Sequence, residues 1–135
     1  MYQFLTAWII NLNIIYYISF YNKSIFKELI FIMNLFMLVS GLYLTVIHPG
    51  YYIILNNKFT GISLYFIDTL FHQIPFILFF LFHTEVNFNI HSILISMFII
   101  LFYTWLFDIE KIYEISLIEF TVIYSLVIFL NTIFI

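Results

Sequence analysis

Residues 61–82 read GISLYFIDTLFHQIPFILFFLF, and the composition of this stretch indicates the class of fold to which the chain belongs. Asp68 and His72 are its only acidic or basic side chains. A helix needs about 20 mostly apolar residues to cross the hydrocarbon core of a bilayer. The stretch therefore predicts a membrane-spanning helix.

The composition extends this prediction to the whole chain. Of 135 residues, 65% are hydrophobic and 8% are charged, and the mean hydropathy is +1.14. Soluble domains are about 45–50% apolar, and a chain this short buries only about two-thirds of the surface that it exposes when unfolded. The composition excludes an ordinary soluble domain and indicates a lipid bilayer as the surroundings of the protein.

Polar breaks divide the chain into five apolar stretches of spanning length. All but one of the connectors are short, which makes consecutive helices antiparallel neighbours. We therefore predict an all-α fold, an integral membrane bundle of about five transmembrane helices running up and down, as a single domain over residues 1–135. The predicted spans lie near Gln3–Tyr21, Ile25–Ile47, Ile62–Phe82, Phe88–Phe107 and Ile115–Ile135.

Charge and cysteine content exclude several classes of function. The chain has no cysteine, which excludes disulfides, thiol nucleophiles and cysteine-ligated metals. With a formal net charge of −3 and no basic patch, we expect no binding to nucleic acid. The expected partners are the lipid bilayer and either other membrane subunits or further copies of this chain, and no organic cofactor is implied.

The residue usage indicates the kind of genome that encodes the chain. Lysine supplies all four basic residues, alanine and glycine are scarce, and phenylalanine, isoleucine, tyrosine and asparagine are abundant. These are residues with AT-rich codons. We therefore expect a gene from an AT-rich genome, such as that of an organelle, a parasite or a large DNA virus. With the predicted spans, the expected location is multi-pass in a viral or host membrane, or in an organelle membrane.

The third predicted span carries the pattern D-x3-H-x2-P, formed by Asp68, His72 and Pro75. Residues four apart lie on one face of a helix, so the carboxylate can accept a hydrogen bond from the imidazole. His72 is expected near the middle of the bilayer, where ionisable groups are costly unless they are paired or hydrated. Pro75 cannot bond the carbonyl of Phe71, which predicts a kink beside this pair.

Further polar groups are expected at the same side of the membrane. The second and third spans share one connector, so Thr45 and His48 should lie near Asp68, and Glu119 lies one turn into the last span on this side. Two imidazoles and two carboxylates form a legitimate zinc or iron ligand set. That candidate set is His48, Asp68, His72 and Glu119. On the opposite side we expect His83, Glu85 and His91 to be exposed at the interface.

The segment LYLT at Leu42–Thr45, followed by DTLFHQIP at Asp68–Pro75, resembles the androgen-induced family of intramembrane fatty-acid-ester hydrolases. That resemblance implies a threonine nucleophile and a histidine base. Carried over to this sequence, Thr45 would be the nucleophile and His72 the base, with Asp68 as its neighbour.

A second resemblance covers residues 39–82, from Val39 to Phe82. This region is similar to uncharacterised small multi-pass membrane proteins of giant DNA viruses, in which D-x3-H-x2-P follows a span that ends in a proline-containing turn. It implies a membrane location and supplies no activity.

Three interpretations of function stay open at this point. The first is a structural or accessory membrane protein in which Asp68 and His72 form a polar contact within the bundle. The second is the intramembrane ester hydrolase that uses Thr45 and His72. The third is a metal- or proton-handling membrane protein centred on His48, Asp68 and His72.

Overall fold

The computed structural model describes residues 4–47, 69–83, 85–113 and 115–134, and within them the chain is all-α with no strand. Two helices carry a π-helical turn at one end, the first helix at Tyr16–Phe20 and the third at Thr69–Gln73. The six α-helices are α1 Leu5–Ile15, α2 Ser24–Val46, α3 Ile74–Phe82, α4 Ile90–Leu106, α5 Ile109–Tyr113 and α6 Leu117–Phe134.

Local sequence explains several of the helix boundaries. The side chain of Asn89 caps α4 by accepting the backbone N–H of His91 at 2.9 Å, and Ser116 caps α6 by accepting the N–H of Glu119 at 3.1 Å. Asparagine and serine are preferred caps because their side chains satisfy N–H groups that the helix leaves unpaired. Asn22, with a φ of 62°, makes the left-handed turn between α1 and α2, which asparagine tolerates better than most residues.

Side-chain contacts fix the directions of the helices. Thr6 near the start of α1 contacts His72, and Tyr16 at its other end contacts His83, so α1 and α3 run the same way. Ser92 at the start of α4 bonds the carbonyl of Ile25 at the start of α2, so these two helices run the same way as each other. Both begin at the end of the bundle where α1 and α3 finish, so they run opposite to α1 and α3. We refer to the two ends of the bundle as the His72 end and the His83 end.

Helix α2 is the central element. It packs against α1, α3, α4 and α6, and its residues Ile32 and Met33 are fully buried. Against α6 it places Phe36, whose ring meets those of Phe120 and Tyr124 at centroid distances of 5.3 and 5.9 Å. The other helices therefore hold their positions largely through contacts with α2.

Polar side chains are concentrated inside the bundle. Asn13 of α1 and Asn34 of α2 exchange two hydrogen bonds, of 2.7 and 3.0 Å, and Asn34 also donates to the carbonyl of Pro75 at 3.4 Å. Nearer the His83 end, Asn131 of α6 donates to the carboxyl of Glu28 at 3.1 Å, and both residues are fully buried. These hydrogen bonds join α2 to three of its neighbours, α1, α3 and α6, inside the bundle.

The all-helical prediction is confirmed for the described residues, and the helices fall within a few residues of the predicted spans. The first half of the predicted third span, residues 62–68, lies outside the described residues. One described helix is long and apolar enough to cross a membrane, over Ser24–Leu44. The short helix α5 was not predicted. Three further apolar helices, each shorter than α2, occupy Leu5–Phe20, Ile90–Leu106 and Leu117–Ile133.

The Asn13–Asn34 pair gives a first test of how this interior is held together. Changing either residue alone to leucine leaves the other amide buried without its partner, which costs about 1–3 kcal/mol. The double variant Asn13→Leu/Asn34→Leu leaves no orphaned amide, so we expect it to lose less stability than the sum of the two single variants. Thermal unfolding in detergent measures this, with the exposed Asn87→Leu as a neutral control; additive losses would contradict the pairing.

Candidate functional site around His72

His72 lies in the π-helical turn Thr69–Gln73, directly before α3. Pro75 has no N–H to donate, so the regular hydrogen-bond ladder of an α-helix cannot run through this point. The chain takes a wider turn here instead, and π-helical turns of this kind are frequent at functional sites. The kink predicted beside His72 thus takes the form of a π-helical turn.

One partner of the imidazole is Thr6. The hydroxyl oxygen Oγ1 of Thr6 lies 3.3 Å from Nε2 of His72, across the α1–α3 contact. On its other side the ring lies against α2, where a Cβ atom built on Gly41 would be 2.9 Å from Cδ2 of the ring. Carbon atoms pack at about 3.5–4.0 Å, so the ring occupies space that a side chain at position 41 would need.

Glu119 is engaged in a separate set of contacts at the same end. Its Oε2 accepts a hydrogen bond from the hydroxyl of Tyr43 at 2.8 Å, and its Oε1 accepts one from the hydroxyl of Ser116 at 3.3 Å. Tyr43 is near the end of α2, and Glu119 is in the first turn of α6. The carboxylate therefore joins α2 to α6, as Glu28 and Asn131 do at the opposite end.

Tyr113 closes this end of the bundle. Its hydroxyl accepts the backbone N–H of Leu5 at 2.6 Å, and the hydroxyl of Tyr103 donates to it at 3.4 Å. Burial raises the pKa of Tyr113 well above its ordinary value of 10.0, so the phenol stays neutral. The first N–H of α1, which has no partner within the helix, is satisfied in this way.

A small cavity lies between these groups. Its volume is about 20 Å³, and its polar wall is formed by Thr6, Ser40, His72 and Tyr113. About 10–15 Å³ is enough to hold one water molecule, whereas pockets for organic ligands measure about 300–1,000 Å³. Among the described residues, this site has room for a water molecule beside the imidazole.

The candidate residues from the sequence are only partly described. Asp68 and His48 lie outside the described residues, as does the side chain of Thr45, whose backbone belongs to α2. Of the rest, His72 contacts Thr6, while Glu119 contacts Tyr43 and Ser116. Across residues 4–47, 69–83, 85–113 and 115–134, the structure gathers no group of three or more potential metal ligands.

Sequence reasoning did not identify Thr6 or Gly41 as members of this site. Thr6 is in the first turn of α1, far from His72 in sequence, and its rotation about the helix axis cannot be read from apolar periodicity when the helix is apolar on every side. For Gly41 a signal existed, since it is the one glycine inside a predicted span, and small residues let helices approach closely.

A second polar cluster lies at the opposite end, and it corrects one prediction. His83 was expected to be exposed, but its exposed fraction is 6%. Its ring stacks on Phe79 with centroids 4.2 Å apart, and Nδ1 lies 2.9 Å from the carbonyl of Phe79. Since a carbonyl only accepts, Nδ1 carries the proton, and Nε2 accepts the hydroxyl of Tyr16 at 2.7 Å. Glu85 and His91 are exposed, as expected.

The surroundings of His83 favour the neutral imidazole. Burial lowers the pKa of His83 below its ordinary value of 6.5, and the charge of Lys27 adds to this, although the hydrogen bond to Phe79 acts in the opposite direction. The unfolded chain therefore takes up a proton at this residue at a higher pH than the folded chain does. The stability that His83 contributes is complete above pH 6.5 and is lost as the pH falls below that value.

We expect the free energy of unfolding in detergent to fall between about pH 7 and about pH 5, with part of the slope due to His83. The variant His83→Gln cannot titrate at this position, so its stability should depend less steeply on pH. The exposed His91→Gln serves as the matched control and should keep the original slope. An unchanged slope in His83→Gln would contradict this account of the buried imidazole.

Comparisons with known proteins add no family to this description. No family model matches the chain, and neither the curated proteins nor the solved structures contain a significant match to it.

Proposed function

We propose that this protein is a multi-pass integral membrane protein with a structural or accessory role, and that its polar side chains hold the helices to one another. The observation that carries the proposal is the distribution of polarity. Large apolar side chains cover the outside of the bundle, including Ile18, Trp105 and Ile118 with exposed fractions of 79, 77 and 76%. Glu28, Asn34 and Asn131 are completely buried. This is the arrangement expected when the solvent is lipid.

Helix lengths support the same proposal. At 1.5 Å per residue, the apolar helices Leu5–Phe20, Ile90–Leu106 and Leu117–Ile133 extend about 24–26 Å. The hydrocarbon core of a bilayer is about 30 Å thick, and a mismatch of a few Å is accommodated by local thinning of the bilayer. All three helices lie beside α2, the helix of full spanning length.

The His72 site fits a structural role in this bundle. Thr6, His72 and Gly41 belong to three different segments and meet at one point. Hydrogen-bonding residues and small residues are the usual means by which helices associate in lipid, where apolar burial alone gives no driving force. The contact holds α1 and the turn before α3 against α2.

The absence of cysteine makes the proposed membrane topology directly measurable. Single-cysteine variants Lys23→Cys and Asn87→Cys place a thiol in the two exposed connectors at the His83 end, and Glu110→Cys places one at the His72 end. In sealed vesicles, we expect a membrane-impermeant maleimide to label the first two positions from one side and Glu110→Cys from the other. The protein should stay in the membrane through extraction at alkaline pH.

The cysteine-free chain, treated in parallel, measures background labelling, and vesicles opened with detergent show that every thiol can react. Labelling of all three positions from the same side of intact vesicles would refute the proposed topology. Release of the chain by alkaline extraction would refute membrane integration altogether.

A second candidate function is favoured by the Thr6–His72 contact. A hydroxyl beside an imidazole is the arrangement by which a threonine nucleophile is activated, with its proton passing to the ring nitrogen as the oxygen attacks an ester carbonyl. The resemblance to the androgen-induced family implied Thr45 as the nucleophile, whereas Thr6 is the threonine with a described contact to His72. An ester hydrolase at this site would thus use Thr6 as its nucleophile.

A fluorophosphonate probe with a long alkyl chain separates the two candidate functions. If Thr6 is a nucleophile, the probe labels the chain, and Thr6→Val and His72→Gln each reduce labelling at least about tenfold while Thr45→Val does not. If the contact is structural, no variant and no wild-type sample is labelled, and Thr6→Val and His72→Gln only lower the unfolding temperature. Labelling that depends on Thr45 alone would contradict the Thr6 assignment.

A further inference from the structure

Asn11 lies on the outside of the bundle near the middle of the first helix. It is exposed, and it shares one stripe of the helix surface with Ile15 and Ile18, which have exposed fractions of 50 and 79%. Six residues separate it from Leu5 and nine from Phe20, which places it about 9 Å and about 13 Å from the two ends of this helix. In the proposed membrane, its amide is at the depth of the lipid tails.

The amide of Asn11 makes no hydrogen bond within the part of the chain that the structure describes. Other exposed polar side chains on these helices satisfy themselves by bonding a carbonyl of the preceding turn, among them Thr104, Thr121, Ser125 and Thr132. A hydroxyl needs no more than this. An amide can place one N–H on such a carbonyl, as Asn13 does with Ile9 at 2.8 Å, but its second N–H and its oxygen require partners outside its own helix. In hydrocarbon, an amide without partners costs several kcal/mol.

We propose that Asn11 is the centre of an interface between two copies of this chain, in which the two Asn11 amides bond each other. The inference rests on the proposed membrane placement, since only lipid surroundings deny the amide a water partner. A side-chain amide is self-complementary because it both donates and accepts. A second copy related by a two-fold axis brings the matching group to the same depth, as an isologous interface requires.

The interior of the protein already contains the same interaction. Asn13 and Asn34 exchange two hydrogen bonds of 2.7 and 3.0 Å between α1 and α2. Two residues earlier on α1, Asn11 presents the same chemistry on the outer face. Lipid headgroups lie too far from this depth to replace it, whereas a second α1 supplies an identical amide.

The surface beside Asn11 has room for the side chains of such a partner. A groove of about 440 Å³ runs between α1 and α4. Apart from Asn11 it is lined by apolar side chains, so the side chains that a second copy would bring, such as Ile15 and Ile18, match it in chemistry. Trp8, Leu12 and Ile15 of α1 and Phe98 and Phe102 of α4 are among its lining residues.

The full chain in phosphatidylcholine vesicles, with Lys23→Cys as the site for donor and acceptor dyes, provides the test. Energy transfer is measured as the protein is diluted with lipid. We expect dimers that dissociate on dilution, and a roughly tenfold weaker association for Asn11→Leu, corresponding to about 1.4 kcal/mol. The amide-retaining Asn11→Gln should recover part of this association. Thr121→Val, which removes a polar group from the exposed face of α6, should have no effect.

Oxidative cross-linking identifies the face used. With dilute protein, Ile15→Cys should form disulfide-linked dimers, and Ile118→Cys, which is at least as exposed but lies on α6, should not. Adding Asn11→Leu to Ile15→Cys should reduce the cross-linked fraction. Unfolding temperatures of the variants verify that each is folded.

The proposal is overturned if the chain is monomeric at every dilution, if Asn11→Leu associates as the unchanged chain does, or if Ile118→Cys cross-links as well as Ile15→Cys. Because membrane integration is measured separately by alkaline extraction, a chain that integrates but does not dimerise refutes this interface alone. A chain that fails to integrate refutes the membrane placement instead.

Discussion

The reciprocal hydrogen bonds between Asn13 and Asn34 are the interaction on which the rest of the bundle depends. They tie α1 to α2 at mid-length, and the further bond from Asn34 to the carbonyl of Pro75 brings α3 to the same point. Both side chains are buried, and besides each other they bond main-chain carbonyls, Asn13 that of Ile9 at 2.8 Å and Asn34 that of Pro75. The position of three helices is therefore set by polar groups, and the large apolar side chains fill the space that remains around them.

From this central point, the chemistry changes toward each end. The paired amides of Asn13 and Asn34 occupy the middle, while side chains that can titrate are found nearer the ends. His72, which was expected near the middle, lies with Glu119 at one end, and Glu28, bonded to the amide of Asn131, lies with His83 at the other. Each is bonded to a side chain of another helix. In the proposed membrane, this arrangement would keep the ionisable groups nearer to water than the Asn13–Asn34 pair, which is the order that the cost of burying charge requires.

The sequence predicted the helices well because each is a continuous apolar run between polar breaks, and Leu5–Phe20 falls inside the predicted span 3–21. It did not predict the pairing of His72 with Thr6, since helices that are apolar all round give no indication of which face turns inward. The π-helical turn at Thr69–Gln73 was also not predicted, because Pro75 indicates that the helical hydrogen bonding is interrupted but not which backbone conformation results. His83 was misjudged because a polar residue beside a short connector is usually exposed, and here Tyr16 and Phe79 enclose it.

Helix α2 presents its contact residues on two opposite sides. Glu28 and Tyr43 both reach α6, whereas Asn34 and Gly41 meet α1 and the segment leading into α3. Asn34 and Gly41 are seven residues apart, a spacing that turns the helix surface by only about 20°. Inserting or deleting a single residue between them would rotate the residues before that point by about 100° relative to the residues after it. The length of α2 is thus less free to change than the identity of its residues, and insertions and deletions are better accommodated in the connectors.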